Sequence, residues 1–175
     1  MKSILFLRHA KSDWSNPSLS DLDRPLAKRG LKDAPRIGRV LAKFGCMPDL
    51  IISSPSLRTR QTVELAVLEN GYQGEIMWEE RLYGGNSYDI TGVIHAIPEN
   101  VERPMIVGHN PGIEETLSLL LSANGHNPTG GIRLRVPTAG LAYLDACVDI
   151  WGNLKPGMCI LRWFLVPRLV KAIVK

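Results

Sequence analysis

The chain has few cysteines, no long apolar run, no internal repeat and no low-complexity stretch. Each absence narrows the reading. Three cysteines (Cys46, Cys147 and Cys159) are an odd number with no close-spaced pair, which argues against a disulfide framework or a cysteine zinc site. Cys147 and Cys159 fall in apolar, strand-like segments and are expected to pack as small hydrophobes. No stretch approaches the roughly 20 apolar residues of a membrane span. The amino-terminal apolar run is too short for a signal peptide and ends in the charged Arg8 and Lys11. A reduced cytoplasm with no membrane partner is therefore expected. Without a repeat, solenoid folds are unsupported, and without a linker-like stretch the 175 residues, 45% of them hydrophobic, read as one domain over 1–175. A concentrated basic stripe is also missing from the sequence. The formal charge is +4, with acidic residues interspersed at 21–33 and 75–81. That pattern favours an anionic substrate over nucleic acid.

What is present is an alternation of apolar strands and amphipathic helices. Residues 3–7, 49–53, 76–78 and 104–108 read as strands. Residues 30–44 read as a helix with Leu31, Ala34, Ile37, Leu41 and Phe44 on one face, ended by Gly45. Pro35 lies either in its first turn or at a kink. Ser54-Pro55 and Asn110-Pro111 resemble an N-cap followed by proline at the first helical position, opening helices to about Asn70 and Ser122. A further helix carries Ile90, Val93, Ile94 and Ile97. Residues 123–137 read as a loop. Segments 141–148 and 158–166 read as an antiparallel pair, followed by a short amphipathic tail. Repeated β–α units imply an α/β three-layer sandwich, a mostly parallel central sheet with helices on both faces.

Three strand ends carry related chemistry. Arg8-His9 follows the first strand, Ser53-Ser54-Pro55-Ser56-Leu57-Arg58 the second, and Gly108-His109-Asn110-Pro111-Gly112 a third. Ligands of open α/β sheets bind beyond the carboxyl ends of the strands, so Arg8, His9, Arg58 and His109 point to one anion site. The arginines suit phosphate oxygens, and Arg58 falls in the first turns of its helix. Neighbouring cations are expected to keep His9 neutral and nucleophilic near pH 7. A bound dianion would favour protonated His109, able to donate a hydrogen bond to the phosphoryl group. The reaction this implies is phosphoryl transfer to His9 and then hydrolysis. His95, in a helix, and His126, in a polar loop, read as structural. A two-histidine metal site lacks a third ligand and would be repelled by the arginines.

Together, Leu7 to Ser12, Asp23-Arg24-Pro25-Leu26, Ser53 to Thr62 and Val107 to Gly112 resemble the histidine phosphatase superfamily, with its phosphoglycerate mutase-like fold. Within it they resemble the SixA-type phosphohistidine phosphatase branch. The resemblance runs from residue 3 to about 166. It implies a phosphorylated intermediate on His9, a phosphate pocket of Arg8, Arg58 and His109 that would also take a phosphate or sulfate ion, and no metal or organic cofactor. Ala10 stands where the superfamily usually has glycine, as in SixA-like relatives. Backbone strain there is expected to be mild.

The general acid stays open. Glu80-Arg81-Leu82-Tyr83-Gly84 resembles the acid-bearing segment of phosphoglycerate mutases. Glu79 and Glu80 read equally well as solvated loop charges. Lys11, a candidate substrate contact, and Trp14 and Tyr83 are candidates for the pocket entrance, and each reads equally well as a surface or packing residue; short connecting segments are expected to leave that entrance shallow and open. The substrate reading is phosphohistidine in a protein partner, with a small phosphorylated metabolite as the rival. A non-catalytic phosphate-binding module is a third possibility.

Overall fold

The computed structural model describes residues 1–122 and 134–174. Its strands are β1 (Lys2–Arg8), β2 (Leu50–Ser53), β3 (Glu75–Trp78), β4 (Pro104–Gly108), β5 (Leu141–Ala146) and β6 (Cys159–Leu165). Its helices are α1 (Lys28–Lys43), α2 (Leu57–Leu68), α3 (Ser87–His95), α4 (Gly112–Leu121) and α5 (Pro167–Ile173). The strands form one sheet in the order β3-β2-β4-β1-β5-β6. All pairings from β3 to β1 are parallel, and β5 is antiparallel to both its neighbours. Five strands thus share a direction and only β5 opposes it. The expected antiparallel extension forms the other side of the sheet.

Alternation along the strands builds two cores. Ile4, Phe6, Leu50, Ile52 and Ile106 face α3, α4 and the turn holding Trp151, while Leu5, Leu7, Ile51, Met105 and Val107 face α1, α2 and α5. A side-chain period of two sends neighbouring residues to opposite faces, so continuously apolar strands imply covering on both sides.

Local signals fare unevenly. Gly45, with φ of 62°, follows the last turn of α1 as expected, and α2 ends at Leu68, two residues short of Asn70. Pro35 lies well inside α1 rather than in its first turn. On the predicted face, Ala34, Ile37 and Leu41 are buried but Leu31 and Phe44 are exposed. Phe44 instead packs edge-on to Trp163 of β6. The predicted caps do not hold. Ser56, not Ser54, precedes α2, and Pro111 precedes α4. The side chains of Ser54 and Asn110 have tertiary partners instead, His109 and the Val136 carbonyl, and long-range geometry outranks the local cap. Cys159 is buried as expected, whereas Cys147 is exposed, just past the end of β5; all three thiols are free. The predicted loop at 123–137 and His126 lie largely outside the described residues. Its described end, 134–140, is non-helical and runs into β5.

Candidate active site

The strand order places the site. After β1 the chain leaves toward the face bearing α1, and after β4 toward the face bearing α4. These two strands are neighbours, with Arg8 opposite Gly108. Adjacent strands whose connections diverge open a crevice at their carboxyl ends, and His9 and His109 stand on its two lips. The His9 N–H donates to the Gly108 carbonyl at 3.1 Å. The imidazole centroids are 5.0 Å apart, and both residues are buried.

Each ring has a defined tautomer. His9 Nδ1 lies 2.7 Å from the Ala10 carbonyl. A carbonyl only accepts, so Nδ1 carries the proton and Nε2 keeps its lone pair. His109 is arranged the other way round. Its Nδ1 is 3.2 Å from Arg58 Nη2, and arginine only donates, so Nδ1 is the acceptor. Its Nε2–H then donates to Ser54 Oγ at 2.9 Å. Donation from His109 to a bound anion therefore requires a second proton, on Nδ1.

Burial is the main reason both rings are neutral. It pushes His9 down to about 4, with the charges of Arg58 and Arg8 adding to the effect against the favourable Ala10 hydrogen bond. His109 is pushed down to about 3 by burial, then by His9 and Arg58. The expected neutral His9 is present, but desolvation outweighs the neighbouring cations as its cause.

The arginines frame the pocket. Arg58, in the first turn of α2, is buried. Its Nη2 also meets Asp21 Oδ2 at 2.9 Å, and its Nη1 donates to the Asp21 carbonyl. Arg8 Nη1 donates to the Val136 carbonyl at 2.8 Å. Among the described residues, buried Arg8 Nε has no hydrogen-bond partner, leaving a donor unspent beside His9. Thr62 ties the two walls together: its hydroxyl donates to the Arg58 carbonyl and accepts from the Ala10 N–H at 3.0 Å. Ala139, with φ of 59°, donates its N–H to the Arg8 and His9 carbonyls. Only Ala139 among the described non-glycine residues has positive φ, so Ala10 takes its methyl group without left-handed strain.

Asp21 was not anticipated. It comes from the connection between β1 and α1, where the sequence shows only mixed charges. Its carboxylate receives Arg58, Arg24 at 3.1 Å and the Tyr83 hydroxyl at 2.9 Å. Partial burial raises its pKa, but Tyr83, Arg58 and Arg24 together outweigh that and hold it below the usual carboxylate range. Tyr83 also stacks edge-on against His109, with centroids 5.5 Å apart. The Asp-x-x-Arg spacing of Asp21 and Arg24 was the available signal, but nothing local shows that it reaches Arg58.

The remaining candidates sit apart from this network. Glu80 is exposed in a helical turn, with no side-chain partner among the described residues. Glu79 is bound by Arg81, which lowers its carboxyl pKa first through that hydrogen bond. The Lys11 side chain is exposed, and its carbonyl accepts from Ala27. Trp14 is exposed and stacks on Arg24 at 3.4 Å. His95 Nε2 hydrogen-bonds the Leu154 carbonyl at 2.8 Å, the structural role expected of it. No His, Cys, Asp and Glu cluster of metal-binding form occurs among the described residues.

Two neutral imidazoles and two guanidinium groups at one crevice can bind a tetrahedral dianion and present a ring nitrogen to it. Comparison with known proteins gives the family. The profile of the histidine phosphatase superfamily (branch 1) matches residues 4–128, and the chain belongs to that superfamily. An uncharacterized Mycobacterium tuberculosis protein, Rv1276c, is 32% identical over 164 residues, covering 93% of this chain and 100% of its own. A structure provisionally assigned as the phosphohistidine phosphatase SixA of Agrobacterium tumefaciens is 32% identical, with TM-score 0.76 over 95% of this chain and 98% of that one. Another, with the same provisional assignment, from Nakamurella multipartitia, is 26% identical with TM-score 0.81 over 95% and 96%. The phosphoglycerate mutase-like fold and the likeness to SixA enzymes follow from these matches.

Proposed function

We propose that this protein hydrolyses phosphohistidine in a protein partner, with His9 as the nucleophile. The observation that carries this is the His9 tautomer: its Nδ1–H is committed to Ala10, so the lone pair of Nε2 is free in a crevice lined by Arg58 and His109. Arg8, Arg58 and His109 would bind the phosphoryl oxygens. His9 Nε2 then attacks phosphorus as the bond to the substrate imidazole breaks, and the released ring takes up a proton. Water attacks the phosphorylated His9 in a second step, giving inorganic phosphate and free enzyme. As the dianion binds, Arg58 Nη2 turns from His109 Nδ1 to a phosphoryl oxygen, and Nδ1 takes a proton from solvent and donates it in a hydrogen bond to the bound dianion.

An imidazole leaving group needs less help from an acid than an alkoxide does. The exposure of Glu80, without a side-chain partner among the described residues, supports the phosphohistidine reading for that reason. The exposed thiol of Cys147 fits a reducing compartment such as the cytoplasm. Lys11, Trp14 and Tyr83, all exposed, would contact the substrate at an open entrance.

Turnover of a purified phosphohistidine protein and of a panel of sugar phosphates tests this, with wild type and His9→Ala in parallel. The expected result is a preference for phosphohistidine and loss of at least about 10³-fold in His9→Ala. A preference for a sugar phosphate overturns the substrate. Undiminished turnover in His9→Ala overturns the mechanism.

A further inference from the structure

The positive charge that is scattered along the sequence is gathered by the fold. A groove of about 520 Å³ runs between α1 and α5 and is lined almost wholly by charged side chains. In its wall Asp33 binds Arg29 at 3.3 Å and Arg36 at 3.0 Å. Lys28, Lys32, Arg168 and Lys171 also line it; all four are exposed, with no carboxylate partner among the described residues. Six cations against one carboxylate make the groove net positive by five. The whole chain is net +4, so everything outside the groove is net negative by one. Lys28 and Arg29 occupy the first turn of α1, which has no acidic residue and no side-chain cap. The helix dipole favours carboxylates there, so this placement works against local stability and calls for an external anion.

Position links the groove to the pocket. Leu7, Leu141 and Leu165 lie in one row across β1, β5 and β6, and β6 runs in the same direction as β1. Pro167, at the mouth of the groove, is therefore at the same sheet edge as His9, two strand spacings or about 10 Å along it. Close packing holds α1 at that edge. A Cβ on Gly30 would come 2.3 Å from the Lys11 carbonyl oxygen, so only glycine lets the first turn of α1 approach the segment after His9. A standard protein interface buries about 800 Å² on each partner, enough to cover pocket and groove together.

We infer that this groove docks an acidic segment of the phosphorylated protein substrate; the inference rests on the proposed function and names a feature of its substrate. A nucleic acid fits less well. The basic face of α1 from Lys28 to Arg36 is only about 12 Å long, it contains Asp33, and the next cations along α1 are engaged, Arg39 with Glu69 at 3.7 Å and Lys43 with the Ile173 carbonyl, which leaves a short track for a phosphate backbone. Stable attachment to a membrane takes an apolar anchor beside a basic patch, and Pro167 is the only apolar residue in the lining.

Two synthetic peptides test the groove, each with one phosphohistidine followed by six glutamates or by six serines. Six extended residues span about 20 Å, which bridges pocket and groove. Wild type is expected to show a KM about tenfold lower for the acidic peptide, a preference that shrinks as salt rises. In K28E/K32E/R168E the preference disappears while the serine peptide is turned over as before; K28Q/K32Q loses part of it. A preference retained in the triple variant overturns the inference, as does its absence in wild type or an equal loss on both peptides. If wild type turns over neither peptide, the proposed function fails and binding of the unphosphorylated acidic peptide, followed by fluorescence anisotropy, decides the groove alone. Binding that the triple variant abolishes supports it, and no binding overturns it. An oligonucleotide that displaces the acidic peptide at equal charge concentration would assign the groove to nucleic acid instead.

Discussion

On the floor of the pocket, His9, Arg58 and His109 each have a partner that fixes the direction of a particular atom: the Ala10 carbonyl, Asp21 and the Ser54 hydroxyl. Outside that network the side chains of Lys11 and Glu80, proposed as the edge of the site, are exposed, with no partner among the described residues. Asp21 and Tyr83 belong to neither group, being largely exposed yet bonded to each other and, through Asp21, to Arg58. The contrast separates two tasks. Chemistry on a phosphoryl group needs donors held in place before the substrate arrives, whereas an edge that meets a protein surface gains little from rigidity. The floor should therefore govern the rate for every substrate, and the edge should govern which substrate is taken.

Substitutions on the floor should cost the most. His9→Ala is expected to remove turnover of all substrates alike. Arg58→Ala and His109→Ala should each lower kcat/KM by about 10²–10³-fold, or 2.7–4 kcal/mol, again irrespective of the leaving group. Steady-state kinetics on phosphohistidine and alkyl phosphates checks this; a loss confined to one substrate class would dissolve the distinction between floor and edge. Glu80→Gln should behave in the opposite way, with loss on the order of 10² for alkyl phosphates and less than about twofold for phosphohistidine. Equal losses would place Glu80 on the floor.

Asp21 allows a finer division. Its carboxylate holds Arg58 where a phosphate dianion would compete for the same guanidinium. Asp21→Asn removes that competing charge, so the inhibition constant for inorganic phosphate should fall by about threefold, a small effect as befits a half-exposed ion pair. A weaker-binding variant would show that Asp21 mainly positions Arg58.

The buried histidines also make stability depend on pH. Unfolded imidazoles titrate near 6.5, whereas His9 and His109 in the fold do so near 4 and near 3. Between pH 3 and about 6.5 the unfolded chain binds more protons, so stability rises with pH through that window and falls on acidification. Melting temperature should therefore drop steadily from pH 7 to pH 4, and His109→Asn should flatten the slope. The acid limb of kcat/KM should lie near pH 4, well below the range of an ordinary imidazole. A limb near 6.5 would mean that His9 is solvated.

Strand ends were the legible part of the site. Arg8-His9, Arg58 and His109 could be picked out because each follows an apolar run, and the α/β order then sends them to one edge of the sheet. The alternation of strands and helices, and the antiparallel pair near the end, came from the same patterning. Contacts between segments distant in sequence were not legible. Asp21 reaches Arg58 across 37 positions, and Val136 receives Arg8 across 128. The basic groove joins α1 to α5, which neither segment foretells. Ser54 looked like a helix cap, but its hydroxyl is taken by a buried imidazole, and α2 begins after Ser56 with no side-chain cap at all. Leu31 and Phe44 matched the helical period, yet α1 is covered along only part of that face.

Rapid-quench labelling tests the account at its centre. Wild-type enzyme mixed with a phosphohistidine protein carrying radioactive phosphate, quenched in alkali and digested, should yield label on a peptide containing His9, stable to base and lost in acid, and absent from His9→Ala. Label on another residue, or turnover without any acid-labile phosphoenzyme, would contradict the assignment of His9 as the nucleophile.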